Sequence, residues 1–329
     1  MAFASVLRAD SATFRRVAAH HYAAFGGVLG SDVEFPELPV EAPCECPDWT
    51  LRVVRTQPPE YSLVPLGERQ AGQERYRLAR FSGGFRLEYS HAGVFDVLND
   101  GESIIWYDRE DALPELVRSI VLGPAIALAL ELAGFLCLHG SAVAFGGATL
   151  AFLGPKHFGK STLATALTTA GGRLVGDDLL VVSPGPPATV RPGVASVRLW
   201  ADVAGALPLS TVCDKLIPGV KTTATGFSKD ALAASPTILE TVYILSPVAP
   251  HADARPVWRT RLAPMEATIA LAHQTKLPDT LVGFRAAGSQ LAAAAAVAAT
   301  VPVWTLHVPR DIERLHEMVR QIINWSRAE

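Results

Sequence analysis

The chain has 329 residues, a net charge of −3, and 49% hydrophobic residues. These values exclude wholesale disorder, since the chain can bury the core of one large or two modest domains, and the lack of a basic stripe excludes a nucleic-acid surface. Pro124 and Glu131 interrupt the most apolar window, residues 120–138, and the first residues have no signal-peptide pattern. The sequence therefore predicts a cytoplasmic protein without a membrane segment.

The N-terminal third is predicted to be rich in β-strands. Residues 12–24 have a helical pattern, a first strand is predicted at 26–29, and residues 35–48 form a loop rich in proline and acidic side chains. Turns that contain glycine then separate short alternating runs. These runs predict strands at 50–56, 76–81, 85–90, 93–98 and 103–107. We therefore expect residues 1–110 to form a β-rich part with antiparallel strands and to be a candidate substrate-binding region.

Residues 111–329 are predicted to form a catalytic α/β domain. Apolar side chains recur at helical spacing over 111–134. The elements that follow are strands at 136–145 and 148–153, a helix at 160–170 and a strand at 174–183. This order of strand, loop, helix and strand predicts an α/β unit with a parallel pair of strands. Later elements are predicted as strands at 197–200, 240–245 and 303–307 and as helices at 263–273, 288–299 and 311–325.

A glycine-bounded loop between a predicted strand and helix matches the pattern G-x-x-x-x-G-K-[ST]. Its residues are Gly154, Pro155, Lys156, His157, Phe158, Gly159, Lys160, Ser161 and Thr162. In this pattern the glycines let backbone N–H groups face the phosphates, the lysine reaches the β- and γ-phosphates, and the hydroxyl ligates Mg²⁺. The start of the helix adds its positive end. The segment therefore predicts a site for ATP and Mg²⁺, with the metal on Ser161.

Two adjacent carboxylates, Asp177 and Asp178, end the next predicted strand. Beside a phosphate-binding loop, one carboxylate can hold Mg²⁺ while the other accepts a proton from an attacking hydroxyl. We assign the metal to Asp177 and the base to Asp178, because Asp178 lies further toward the loop. The alternative is a solvated turn with a helix-capping aspartate. His139, one strand earlier, is predicted to reach the phosphates or the acceptor, with a core histidine as the alternative.

The run from His139 through the loop to Asp177-Asp178 resembles the catalytic core of HPr kinase/phosphorylase and related kinases. The resemblance implies a P-loop kinase core of the type shared with phosphoenolpyruvate carboxykinase, and phosphoryl transfer to a hydroxyl, often that of a serine. It also implies that Lys160 and Ser161 serve ATP and Mg²⁺, that an aspartate is the base, and that His139 lies near the transferred group. Relatives act on precursor peptides of natural products, and many form hexamers, so a homo-oligomer is expected.

The chain departs from these relatives inside the loop. Their small residues are replaced by Lys156, His157 and Phe158, which are predicted to contact the nucleotide or the substrate. Three basic residues outside the loop are candidates for phosphate or substrate contacts, with ordinary surface charge as the alternative. They are Arg198, Lys215 and Lys221.

The sequence leaves several functions open. The first is a kinase of a peptide or protein serine, and the second is a kinase of a small hydroxylated metabolite. A nucleotide-binding regulatory protein needs the loop but no acceptor base, and a simple NTPase hydrolyses ATP without an acceptor. The pair of aspartates favours a kinase over the regulatory protein.

Overall fold

The structure is a computed structural model, and it describes residues 18–71, 74–145, 147–200, 221–224, 227–248, 257–277, 285–309 and 311–328. The chain divides into two units, Met1–Ala133 and Gly134–Glu329. The functional division predicted between residues 1–110 and 111–329 stays a prediction. Among the described residues, no helix has the length and apolar character needed to cross a membrane.

The first unit is built on an eight-stranded sheet with the order β1-β2-β3-β8-β7-β6-β5-β4. The strands are β1 His20–Ala24, β2 Gly27–Ser31, β3 Trp49–Val54, β4 Val64–Ala71, β5 Glu74–Phe81, β6 Gly84–Tyr89, β7 Gly93–Leu98 and β8 Ser103–Tyr107. A β-rich N-terminal part is thus observed, but the sheet is not wholly antiparallel. The β2–β3 and β3–β8 pairs are parallel, and the long connections between these strands permit such pairing.

The predicted helix at 12–24 is wrong where the structure describes it. Residues 20–24 form β1, which pairs with β2 through a tight turn at Phe25 and Gly26, and both turn residues have positive φ. The pairing of β1 with β2 gives the backbone hydrogen-bond partners that the helical spacing of apolar residues did not predict. Residues 12–17 lie outside the described residues.

The predicted helix at 111–134 is interrupted in the structure. It consists of α1 Pro114–Ile120, a π-helical turn Val121–Ala125, and α2 Ile126–Leu132. The turn contains Pro124, which has no N–H to donate to the helical ladder, and this explains the irregular turn.

The second unit contains a nine-stranded mixed sheet and a separate two-stranded sheet. The strands of the large sheet are β9 Leu136–Leu138, β10 Gly140–Phe145, β11 Ala148–Leu153, β12 Arg173–Asp177, β13 Leu180–Ser183, β14 Thr189–Arg191, β17 Thr237–Val248, β18 Trp258–Arg261 and β19 Val303–Pro309, and the small sheet pairs β15 Val197–Trp200 with β16 Lys221–Ala224. The helices are α3 Lys160–Thr169, α4 Pro264–Ala272, α5 Arg285–Thr300 and α6 Leu315–Ala328, with a 3₁₀ turn at Lys229–Ala231.

Helices cover both faces of the central strands. Phe152 packs with Leu163 of α3 and Ile322 of α6 in one buried cluster. The neighbouring Ala151 belongs to a second cluster on the other face, which includes Ala294 of α5. Because successive side chains of a strand point to opposite faces, a strand between two helical layers is apolar on both faces, as β11 is except at the buried Thr149. The layers confirm the predicted mixed α/β class.

The predicted parallel pair is wrong in its partner. β12 does not lie beside β11, because β10 separates them and is antiparallel to both. The parallel neighbour of β11 is β17, which is also parallel to β19. A short hairpin places β10 directly beside β11. The strand after α3, β12, therefore pairs with the far edge of β10 instead of with β11.

Candidate active site

The glycine-bounded loop joins β11 to α3, as the sequence predicts, and its backbone conformation requires glycine at both ends. Gly154 has φ +136° and Gly159 has φ +88°, values that L side chains rarely adopt. A Cβ atom on Gly154 would also lie 3.3 Å from the carbonyl oxygen of Leu245. α3 begins directly after Gly159 without a side-chain cap. The first N–H groups of this helix can therefore serve an anion in the loop.

Lys160 lies inside this loop. The residue is only 7% exposed, and Nζ donates hydrogen bonds to the carbonyl oxygens of Gly154 at 2.7 Å and Pro155 at 2.9 Å. These carbonyl oxygens accept from two of its three donor positions. A buried ammonium group held in this way can form a charge-assisted contact with phosphate oxygens.

Asp177 ends β12 beside the start of α3. Ser141 and Ser161 donate hydrogen bonds to its Oδ1 at 2.5 and 2.9 Å, and the backbone N–H of Arg198 donates to Oδ2 at 3.1 Å. Burial raises the pKa of Asp177, against these three hydrogen bonds, which favour the ionised form. A nearby cation would supply the charge that favours ionisation.

The pair formed by Asp177 and Ser161 fits a hard divalent cation. Two neighbouring oxygens of an octahedral Mg²⁺ site with bonds of about 2.0–2.1 Å lie roughly 2.9 Å apart. The distance between Ser161 Oγ and Asp177 Oδ1 is 2.9 Å. The described residues contain no cluster of three or more His, Cys, Asp or Glu side chains that could hold a metal. Mg²⁺ at this place would take its other ligands from phosphate oxygens and water, as is usual for this ion.

Asp178 has a different set of partners from Asp177. His139 Nδ1 lies 3.2 Å from its Oδ1 and 3.1 Å from its backbone oxygen, and Lys276 Nζ lies 2.5 Å from its Oδ2. Burial alone would raise the pKa of Asp178, but the hydrogen bonds and charges of His139 and Lys276 outweigh it and lower the pKa. Asp178 is therefore held ionised, as an acceptor. Neighbouring carboxylates with oppositely shifted pKa values are typical of sites that divide two tasks.

Breaks in two strands create this arrangement. The predicted strands 136–145 and 174–183 are each interrupted, at His139 and at Asp178, so that each becomes two strands. Asp178 has φ +70°, an unusual value for a residue other than glycine. Strained backbone of this kind is common at functional sites, and here the strained residue is itself the second of the two aspartates.

Lys276 is a site residue that the sequence did not predict, and Ser141, which donates to Asp177, is another. The backbone of residues 274–276 pairs with the edge of β9, since His139 N donates to Gln274 O and Lys276 N donates to Cys137 O. This pairing fixes the lysine beside Asp178. The scarcity of lysine is the signal that could have found it, because the chain has six lysines, all between Lys156 and Lys276.

No protein-family model and no curated protein matches the chain. Among solved structures, it is similar to the Hpr(Ser) kinase/phosphatase from Coxiella burnetii. The identity is 12%, the match covers 59% of this chain and 99% of that chain, and the TM-score is 0.28. A likeness at this score carries no argument about function, so the chemistry of the site rests on its own geometry.

The remaining predicted residues are only partly brought together. Arg198 contacts Asp177 through its backbone N–H. Lys221 belongs to β16, whose side chains are outside the described residues, and Lys215 is outside them altogether. In the loop, Lys156 and His157 are exposed.

An apolar pocket adjoins the loop on the side of β17 and β19. The loop and the first turn of α3 form one wall, and the ends of the two strands with the start of α6 form the other. Its lining consists of His157, Phe158, Gly159, Thr162, Leu163, Leu245, Val308, Pro309, Asp311, Ile312, Leu315 and Met318.

Proposed function

We propose that this protein is an ATP- and Mg²⁺-dependent kinase that transfers the γ-phosphoryl group to a hydroxyl. The observation that carries the proposal is the 2.9 Å contact between Ser161 Oγ and Asp177 Oδ1, directly at the start of α3 and beside the buried Lys160. A hydroxyl, a carboxylate, an ammonium group and a helix N-terminus converge there, which is the combination that binding of a magnesium triphosphate requires.

The donor half of the site would hold the triphosphate. The N–H groups of the loop and of the first turn of α3 would bind phosphate oxygens, and Lys160 would exchange its carbonyl partners for the β- and γ-phosphates. Ser161 and Asp177 would hold Mg²⁺, which supplies positive charge to the phosphate oxygens when bound. Catalysis of this kind depends on positioning and on charge neutralisation.

The acceptor half would consist of Asp178 with His139 and Lys276. Asp178 would accept the proton of the acceptor hydroxyl while that oxygen forms a bond to the γ-phosphorus. The bond between the γ-phosphorus and the β–γ bridging oxygen breaks, and ADP leaves. His139 and Lys276, at 3.2 and 2.5 Å from the two carboxylate oxygens, would orient Asp178 and limit its repulsion of the anionic donor.

The finer parts of the proposal rest on the resemblance of the central residues to HPr kinase-related proteins. They are a P-loop core of the HPr kinase and phosphoenolpyruvate carboxykinase type, and a serine of a peptide or protein as the acceptor. A small hydroxylated metabolite is the alternative acceptor within the same chemistry. A homo-oligomer belongs to the same resemblance-based proposal, and a cytoplasmic location is a separate proposal from the sequence pattern.

The proposal is tested by incubating the protein with Mg²⁺, γ-labelled ATP, and pools of peptides or metabolites. Mass spectrometry is expected to show acceptors that gain one phosphate, and Lys160→Ala and Asp178→Asn to abolish the gain. Arg173→Ala is the matched control, because Arg173 is exposed at the opposite end of β12 from Asp177. Turnover retained in either active-site variant would contradict its role, and ATP hydrolysis that needs no acceptor would indicate an NTPase.

A further inference from the structure

The apolar pocket beside the loop lies opposite the carboxylates. In the sheet, β10 and then β12, which carries Asp177, flank β11 on one side, and β17 and then β19 flank it on the other. Leu245 of β17 and Val308 of β19 line the pocket. Because the loop continues directly from β11, it separates the pocket from the two aspartates.

This topology gives the bound donor a direction. Asp178, the proposed base, defines the end at which the γ-phosphoryl group has to lie. The rest of the donor must leave the loop on another side, and the pocket adjoins the loop at Gly159 and Thr162, next to the first turn of α3. A nucleoside that extends away from the carboxylates would therefore reach the pocket.

The chemistry of the pocket fits a planar aromatic group. Its walls are mostly aliphatic, with Leu163, Leu315 and Met318 among them, and Phe158 supplies an aromatic ring. The Phe158 side chain is half-buried and packs against the same core cluster as these residues. Apolar walls with a few polar groups are usual for sites that bind cofactors.

We propose that this pocket holds the nucleobase of the donor triphosphate and that Phe158 forms its aromatic wall. The inference rests on the proposed function. It also gives a role to the bulky interior of the loop, because a small residue in place of Phe158 would leave this wall without a ring. The acceptor would not occupy the pocket, since its hydroxyl has to reach Asp178 on the other side of β11.

The experiment compares two probes, MgATP and magnesium tripolyphosphate, which share the phosphates but differ in the nucleoside. Calorimetry is expected to show that Phe158→Ala weakens MgATP binding about 10- to 100-fold, the range for loss of one base–aromatic stack. Binding of tripolyphosphate should stay within about twofold of wild type, and Phe158→Tyr, which retains a ring, should restore MgATP binding.

Phe145→Ala is the matched control, because Phe145 is a half-buried phenylalanine that packs against the same core cluster but does not line the pocket. It is expected to leave both affinities unchanged. The nucleobase assignment would be overturned if Phe158→Ala weakened the binding of both probes equally, or if it left the binding of both unchanged. A wild-type protein that binds neither probe would overturn the proposed function as well, and one that binds tripolyphosphate but not MgATP would overturn the pocket alone.

Discussion

Replacing Lys276 with methionine should destabilise the protein, because it removes the cation that lies beside the Asp178 carboxylate. The Lys276 Nζ–Asp178 Oδ2 distance is 2.5 Å, and the two side chains are 13% and 45% exposed. Breaking a fully buried pair costs about 3–5 kcal/mol, and an exposed pair contributes roughly 0–1 kcal/mol. With one partner mostly buried and the other nearly half exposed, we expect Lys276→Met to lower the free energy of unfolding by about 1–2 kcal/mol.

A double-mutant cycle isolates this pair. Urea unfolding of wild type, Lys276→Met, Asp178→Asn and the double variant at neutral pH should give a coupling free energy of about 1 kcal/mol. Lys276→Arg keeps the charge and should recover part of the loss. A coupling free energy below about 0.3 kcal/mol would refute the reasoning, because it would mean that the two side chains act independently.

Wild type and Lys276→Met differ in their free energy of unfolding, and the direction in which the pKa of Asp178 is shifted determines how this difference depends on pH. The pKa of Asp178 is lowered in the folded protein. The stabilisation is therefore fully present above the ordinary pKa of an aspartate, about 3.9, and is lost as the pH falls through the lowered value. The difference between wild type and Lys276→Met should stay constant from about pH 8 to about pH 5. A difference that shrinks within this range would contradict the assigned partner.

Two further substitutions test the neighbouring residues. Asp177→Asn should raise the urea midpoint of the ligand-free protein at neutral pH, because burial raises the pKa of Asp177 and its ionised form costs stability as the pH rises through that value. A lowered midpoint would count against the assignment. The same substitution should remove the additional rise in the protein's melting temperature that Mg²⁺ gives when it is added together with ATP. Gly140→Ala should cost about 1–3 kcal/mol in urea unfolding, since its Cβ would lie 2.3 Å from Leu153 Cδ2 and 2.7 Å from the Phe152 oxygen, whereas Gly185→Ala meets no atom within 4 Å and should be neutral.

Local chemistry made the loop and its setting predictable. The glycines at 154 and 159, the lysine and the serine lie between a strand and a helix, as their pattern requires. Strands β2, β3 and β5 to β8 were also predicted, because turns that contain glycine separate runs that alternate, whereas β1 was predicted as a helix and β4 was not predicted. The parallel pairing of β3 with β2 and β8 was not predicted, since it depends on contacts between distant segments.

The sequence pattern did not predict the two strand breaks or the contact between Lys276 and Asp178. His139 and Asp178 interrupt runs that read as single strands, and only the paired backbone shows why the chain turns there. Lys276 is 98 residues from Asp178. No spacing rule connects residues at that separation, because the packing of β9 against residues 274–276 brings them together.

The most direct test of the central claim is calorimetric titration of the protein with MgATP. Wild type is expected to bind saturably, and Lys160→Ala to bind about 10- to 100-fold more weakly, the range for loss of a charge-assisted contact. Arg173→Ala should bind as wild type does. Equal affinities of wild type and Lys160→Ala, or no binding by wild type, would contradict the assignment of the loop as the site of the phosphoryl donor.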